Sequence, residues 1–210
     1  MPPEPHNFRY YNTPSNTPIP PSLSNFTIKA RTGTDLWRTP SRDTFTAHVL
    51  YTPAPANFYR AEVTIYFSLD RAREWDQGGL VIFAGPPPTT SHRTTDAPVG
   101  KWVKAGIEYT EGRALASSVS ASTDGADRSV VELPQGVSEV RVAVERQAQT
   151  LIVWFDDGVE WKRLREVNWF FHQVEEKNVR VGVYAGRPAT EQSGVAQSEL
   201  VVEFEGFEIF

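Results

Sequence analysis

The sequence predicts an all-β protein, a sandwich of two antiparallel sheets, and three observations lead there. Apolar residues recur at every second position in segment after segment. Asp/Glu-Gly pairs punctuate the chain, and no helical segments alternate with the strands. A chain of 210 residues fits one large β domain of this kind. Hydrophobic residues at 40% and aromatics at 12% supply one sizeable interior and set the chain apart from a disordered one.

Residues 1–22 form a proline-rich N-terminal arm, and residues 23–210 a single β-sandwich domain. The arm carries seven of the 16 prolines, a density that opposes helix and sheet ladders alike. Its Phe8, Tyr10 and Tyr11 favour an extended course along the domain surface. In FYRAEVTIYFSL (58–69), Tyr59, Ala61, Val63, Ile65, Phe67 and Leu69 alternate with Phe58, Arg60, Glu62, Thr64, Tyr66 and Ser68, the pattern of a half-buried strand. Further strands are GGLVIFAG (78–85), KWVKAGIEYT (101–110), ALASSVSA (114–121), EVRVAVERQ (139–147), TLIVWFDD (150–157), NVRVGVYAG (178–186) and ELVVEFEGFEIF (199–210). WKRLREVNWFFHQVEE (161–176) reads as strand and then loop. Glu111-Gly112, Asp124-Gly125 and Asp157-Gly158 mark chain reversals that need a positive φ, hence glycine. The stretch 85–100, GPPPTTSHRTTDAPVG, is a long loop and a candidate lid or binding wall.

Charge and composition exclude several function classes. A net charge of −5 without Lys/Arg clusters argues against nucleic acid and against an anionic membrane surface. The absence of cysteine removes disulfides, zinc-thiolate sites and thiol nucleophiles. No basic, apolar leader opens the sequence, so a cytoplasmic protein is the simplest expectation. His6, His48, His92 and His172 fit no paired-ligand spacing, so no metal is expected. Phosphate loops and dinucleotide fingerprints are missing too, and no cofactor is expected. Nothing in the sequence excludes a homodimer.

The functional question centres on GKWVKAGIEYTEG (100–112). Strand alternation puts Trp102, Lys104, Gly106 and Glu108 on one face and Val103, Ala105, Ile107 and Tyr109 on the other. The second set is a core face. The first is either solvent surface or the floor of a groove, where an indole platform with one donor and one acceptor would suit a sugar or another small molecule. Gly106 would let a ligand approach the backbone closely. Around these lie Arg60, Glu62, Tyr66, Gln77, Arg141, Trp154 and Tyr184 as candidate ligand contacts, and His48 as a candidate acid or base beside Lys104 and Glu108. The bland reading of the same letters is a solvated face with cross-strand Lys–Glu pairs.

The order of DLWRTP (35–40), DQGGLVI (76–82), KWVKAGIEY (101–109), SSVSASTDGADRSV (117–130), FDDGVEWKRLR (155–165), VRVGVYAGRP (179–188) and VEFEGFEI (202–209) resembles a concanavalin A-like family known in fungi as the regulation of enolase protein group. The resemblance covers about residues 24 to 210. It implies a jelly roll of two curved antiparallel sheets, with a ligand on the concave face. That family usually carries Ala-Asp-Trp-Ser where this chain has Ala126-Asp127-Arg128-Ser129. The superfold hosts lectins, hydrolases, lyases and adaptors, so it implies no single reaction. Glu203, Glu205 and Glu208 resemble the carboxylate strand of sandwich-fold glucanases. An alternating last strand with Gly206 as a bulge explains the same letters. Three classes therefore stay open: a glycan or small-molecule binder, a cofactor-free enzyme (isomerase, cyclase or glycoside-acting), and a protein-binding regulator.

Overall fold

In the computed structural model, residues 2–85, 100–189 and 199–210 are described. His92 and all but the ends of the 85–100 loop lie outside them. Fifteen strands account for the described chain: β1 Arg9–Tyr11, β2 Asn25–Ala30, β3 Leu36–Thr39, β4 Arg42–Phe45, β5 His48–Pro53, β6 Arg60–Tyr66, β7 Gln77–Ala84, β8 Lys101–Thr110, β9 Arg113–Ser122, β10 Gly125–Glu132, β11 Glu139–Gln147, β12 Thr150–Asp156, β13 Trp161–Val167, β14 Val179–Gly186 and β15 Leu200–Ile209. They form a seven-stranded sheet, β1-β5-β14-β7-β8-β9-β10, a six-stranded sheet, β13-β12-β11-β6-β15-β2, and the separate β3-β4 hairpin. Among the described residues no helix is long and apolar enough to cross a membrane.

Alternation decides what each sheet buries. Leu80, Ile82, Val103, Ala105, Ile107, Val181 and Val183 of one sheet pack against Val63, Ile65, Val142, Val144, Val153, Val202 and Phe204 of the other, and all are buried. Full burial of each such Val, Leu, Ile or Phe side chain stabilises the fold by roughly 1.5–3 kcal/mol. The turn signals behave as glycine chemistry requires. Glu111 and Gly112 have φ of 53° and 76°, closing Thr110 against Arg113 in a turn whose twist matches the flanking strands. Gly206, at φ 62°, marks the register shift between Glu205 and Glu208. The last strand is thus the bulged, alternating one, and Glu203 and Glu205 point to solvent.

Two features depart from the sequence expectation. Arg9–Tyr11 of the arm pairs with β5, because that stretch is free of proline and keeps its N–H donors. Phe8 is buried beside it and meets the Phe207 ring edge-on at 5.9 Å. The second feature is the β3-β4 hairpin, whose Leu36 and Phe45 pack with Val81, Phe83, Trp102, Val119, Ala121 and Tyr184. These residues belong to the face of the seven-stranded sheet turned away from the main core, so the hairpin roofs that face. Arg38 fastens the roof. Its guanidinium forms two hydrogen bonds to the Asp43 carboxylate, at 2.6 and 2.9 Å, and donates to the Gly100 and Ser122 carbonyls at 3.0 and 2.8 Å.

Candidate functional site

The outer face of the seven-stranded sheet is organised in rows across β7, β8 and β9. Gln77 faces Glu108, Gly79 faces Gly106, Val81 faces Lys104 and Phe83 faces Trp102. On the next strand Gly106 faces Ser117, Lys104 faces Val119 and Trp102 faces Ala121. The glycine pair is required by the sheet itself: a Cβ on Gly106 would lie 1.9 Å from the Gly78 carbonyl oxygen. Gly106 therefore admits the neighbouring strand, not a ligand as the sequence suggested.

One end of this face is apolar and closed. Trp102 is 1% exposed, sealed under the hairpin with Phe83 and Leu36, so it is no open platform. The other end is a buried polar cluster. Lys104 donates to Gln77 Oε1 and lies 4.0 Å from Asp35 Oδ1. Gln77 is oriented in turn by its Nε2, which donates to Asp35 Oδ1 at 3.1 Å and to the Trp75 carbonyl at 3.3 Å. The Tyr184 ring centre is 5.6 Å from the Lys104 ammonium. Glu108 accepts from Ser117 Oγ at 3.3 Å and pairs with the Arg128 guanidinium. That ion contact lacks hydrogen-bond alignment, so Glu108 Oε1 and two Arg128 nitrogens carry no hydrogen bond.

Lys104 and Glu108 are 3% and 4% exposed, and burial drives their proton affinities in opposite directions. It pulls the Lys104 ammonium below its ordinary range, against the opposing pull of Asp35 and Glu108. It pushes the Glu108 carboxyl up, against the field of Lys104 and Arg128. Burial likewise holds the Tyr184 phenol well above its usual value, with Glu108 and Asp35 adding to the effect. An acid and a base whose proton affinities are drawn toward each other are suited to holding or passing a proton between them.

At the edge of the cluster stand Asp35, Arg128 and Trp75, its partly exposed neighbours. Trp75 is 43% exposed, and the Arg128 guanidinium stacks over its ring at 5.0 Å. Its backbone sits at φ 70°, a conformation that a bulky residue adopts only when its surroundings impose it. Those surroundings are identifiable. Trp75 N–H donates to the Tyr109 carbonyl at 2.7 Å. The next residue, Asp76, is fully buried and held by Arg187 through bonds of 2.9 and 2.6 Å, while the Glu74 carboxylate accepts from the Glu111 amide at 3.0 Å.

Five of the sequence-predicted residues thus share this face: Trp102, Lys104, Glu108, Gln77 and Tyr184. The others do not join them. Arg60, Glu62, Tyr66, Arg141 and Trp154 lie on β6, β11 and β12 of the six-stranded sheet, on its outer face and hence on the far side of the molecule. There Glu62 accepts from Arg60 at 2.8 Å and from Arg141 at 2.5 Å. Arg60 and Arg141 both stack on Trp161, and Arg163 on Trp154. Although burial alone would raise the Glu62 carboxyl, the two arginines outweigh it and lower it. A Glu62–Glu108 carboxylate pair is excluded, since the two stand on different sheets. His48 is also misplaced by the groove reading. It alternates with Ala47 and Val49, which do face the roofed side, so its ring points the other way and binds the Lys29 carbonyl through Nδ1 at 2.6 Å.

Sequence reasoning missed Asp35, Trp75 and Ser117, and noticed Arg128 only as a departure from a family pattern. The available signal was Trp75 itself, an aromatic in REWDQGG outside any alternating run.

Comparisons with known proteins bear on the family and the fold. The family profile described as "Protein of unknown function (DUF1349)" matches residues 10–209. The "Uncharacterized protein AN7484" of Emericella nidulans is 35% identical over 184 residues, covering 86% of this chain and 84% of its own length. A functionally unknown protein of Saccharomyces cerevisiae superposes with a TM-score of 0.69 at 20% identity, over 99% of this chain and 97% of the other. The LamAcat protein of Zobellia galactanivorans superposes with a TM-score of 0.55 at 11% identity, over 97% and 91% of the two chains. These likenesses in structure establish the β-sandwich fold that the sequence predicts.

Proposed function

This chain belongs to the DUF1349 family of proteins of unknown function, and on that footing we propose that it binds a small polar molecule, a sugar or sugar-like compound, at the mouth of the Lys104–Glu108 cluster. The carrying observation is the cluster itself: an ammonium and a carboxyl are buried in one face, one carboxyl oxygen lacks a hydrogen bond, and the exposed Trp75 indole stands at the cluster's edge against Arg128. Trp75 offers a flat apolar surface for the C–H face of a ring. Asp35 and Arg128 offer an acceptor and donors for its hydroxyls. Each cation in the cluster already has an anion beside it, which favours an uncharged ligand.

The LamA protein of Zobellia galactanivorans, of the same fold, is described in complex with laminaritriose and laminaritetraose, and this supports neutral glycans as the first probes. The test is thermal shift and calorimetry of the full chain against laminaritriose and a panel of neutral oligosaccharides and small polyols. A hit whose affinity falls at least tenfold in Trp75→Ala and in Lys104→Gln is the expected result. A hit that both variants bind as well as wild type, or a panel without any hit, overturns the reading.

A second reading is favoured by the opposed proton affinities of Lys104 and Glu108: a cofactor-free enzyme in which this pair moves a proton on a substrate oriented against Trp75. It requires a pH–rate profile whose limb assigned to Glu108 disappears in Glu108→Gln. A profile unchanged in that variant removes it.

A further inference from the structure

A second cleft lies away from this cluster, between the N-terminal arm and β2. β2 is the edge strand of the six-stranded sheet and, among the described residues, pairs only with β15. The arm passes over it and leaves a space of about 620 Å³, lined on the domain side by Lys29, Arg31 and His48 and on the arm side by Thr13, Thr17 and four prolines. On a chain of net charge −5, this wall is cationic. Its one carboxylate among the described residues, Glu199, stands 3.8 Å from Arg31 in an exposed pair. His48 binds a carbonyl oxygen through Nδ1, so Nδ1 carries the proton.

The opposite wall carries Thr13-Pro14 and Thr17-Pro18, hydroxyl residues followed by proline in an irregular, proline-rich segment. Thr39-Pro40 and Thr52-Pro53 repeat the dipeptide, but Thr39 is locked in the roof hairpin and Thr52 is buried in β5. Only the arm can offer its threonines to an enzyme that reads an extended Thr-Pro segment. Thr17 stands at the end of a turn, its N–H donating to the Pro14 carbonyl at 2.9 Å.

We propose that Thr17 is a phosphorylation site for a proline-directed protein kinase, and that the phosphate docks on Lys29 and Arg31 in this cleft and fastens the arm. The γ-phosphoryl group of a nucleoside triphosphate is transferred to Thr17 Oγ1. A P–O bond forms there as the bond to the departing nucleoside diphosphate breaks, and the hydroxyl proton is released. The added group brings nearly two negative charges and three strong acceptors to a wall that supplies the matching donors. The arm is mechanically joined to the roof of the Lys104 cluster. Asn12 donates to the Phe45 and Ala47 carbonyls at 3.0 and 2.9 Å, and Tyr11 meets the Phe45 ring edge-on at 5.4 Å. A fastened arm therefore steadies the end of β4. This inference stands whether or not a ligand binds at Lys104.

The experiment incubates the full chain with a purified proline-directed kinase and Mg-ATP, maps the phosphate by mass spectrometry, and compares amide hydrogen exchange of the phosphorylated and unphosphorylated forms. The expected result is phosphate at Thr17, lost in Thr17→Ala and kept in Thr13→Ala, with at least threefold slower exchange in the arm and at residues 45–47. In the phosphorylated Lys29→Ala/Arg31→Ala double variant that slowing disappears. Absence of phosphate at Thr17, unchanged or faster exchange on phosphorylation, or equal slowing in the double variant each overturns the proposal.

Discussion

The two outer faces of the sandwich are built from similar letters and have opposite electrostatics. On the six-stranded sheet, Glu62 lies between two arginines that each reach it with a hydrogen bond, and its carboxyl is stabilised in the charged form. On the seven-stranded sheet, Glu108 is buried, takes one serine hydrogen bond and a poorly aligned arginine, and is destabilised in the charged form. An alternating strand with Lys, Arg, Glu and Trp is therefore surface when its partners can close every charge. It becomes a candidate site when a cover excludes water before the charges are matched.

The sharpest way to break this comparison is to remove the indole from each face. Trp102→Ala empties a sealed position and is expected to destabilise the fold by about 3–5 kcal/mol. Trp154→Ala, on the half-open face, is expected to cost about 1–2 kcal/mol. Equal losses in chemical denaturation would mean that the hairpin does not seal its face.

Exchanging each glutamate for glutamine sharpens the contrast in sign. Glu62→Gln loses one of the two arginine hydrogen bonds and the charge assistance of the other, and should lose about 1–3 kcal/mol near neutral pH. Because the Glu62 folded-state pKa is depressed below 4.5, its contribution is present above the unfolded value and is lost as pH falls through the folded one. The variant's deficit should therefore shrink in acid. Glu108 behaves in reverse. Its folded pKa is raised above 4.5, so the folded state holds the proton more tightly and stability falls as pH rises between the unfolded and folded values. Glu108→Gln should flatten that fall, which melting curves at a series of pH values will show.

The smallest expected effect concerns His48, which faces neither outer surface. Burial lowers its pKa below 6.5, opposed by the Lys29 carbonyl and aided by Arg31, with Glu199 pulling the other way. The unfolded chain then binds the proton more readily, so stability falls as pH drops from 6.5 through the folded value. His48→Asn should remove this acid-side slope, a change of a few degrees at most in melting temperature.

Much of the fold was legible in the sequence because a period of two is a local property. The strands at 101–110 and 139–147 were read with the bounds that the structure gives them, and Gly112 and Gly206 took the backbone conformations their positions required. The candidate site was legible only in its floor. Lys104, Glu108, Gln77, Tyr184 and Trp102 do share a face, whereas Trp154, Tyr66, Glu62, Arg60, Arg141 and His48 were placed beside them only because their alternation looked the same. Alternation assigns a residue to one of two faces of its own strand. It does not say which sheet that strand joins.

The sequence by itself determined that this chain makes strands, where they reverse, and which alternate residues make the interior, since steric limits on φ and the removal of apolar surface from water act on neighbouring residues. Only the tertiary structure decided that the 35–45 segment folds back as a roof, that Arg128 and Trp75 meet, and that burial raises Glu108 while two arginines lower Glu62. Those outcomes depend on how much water remains around a charge, and that is set by segments far apart in the chain.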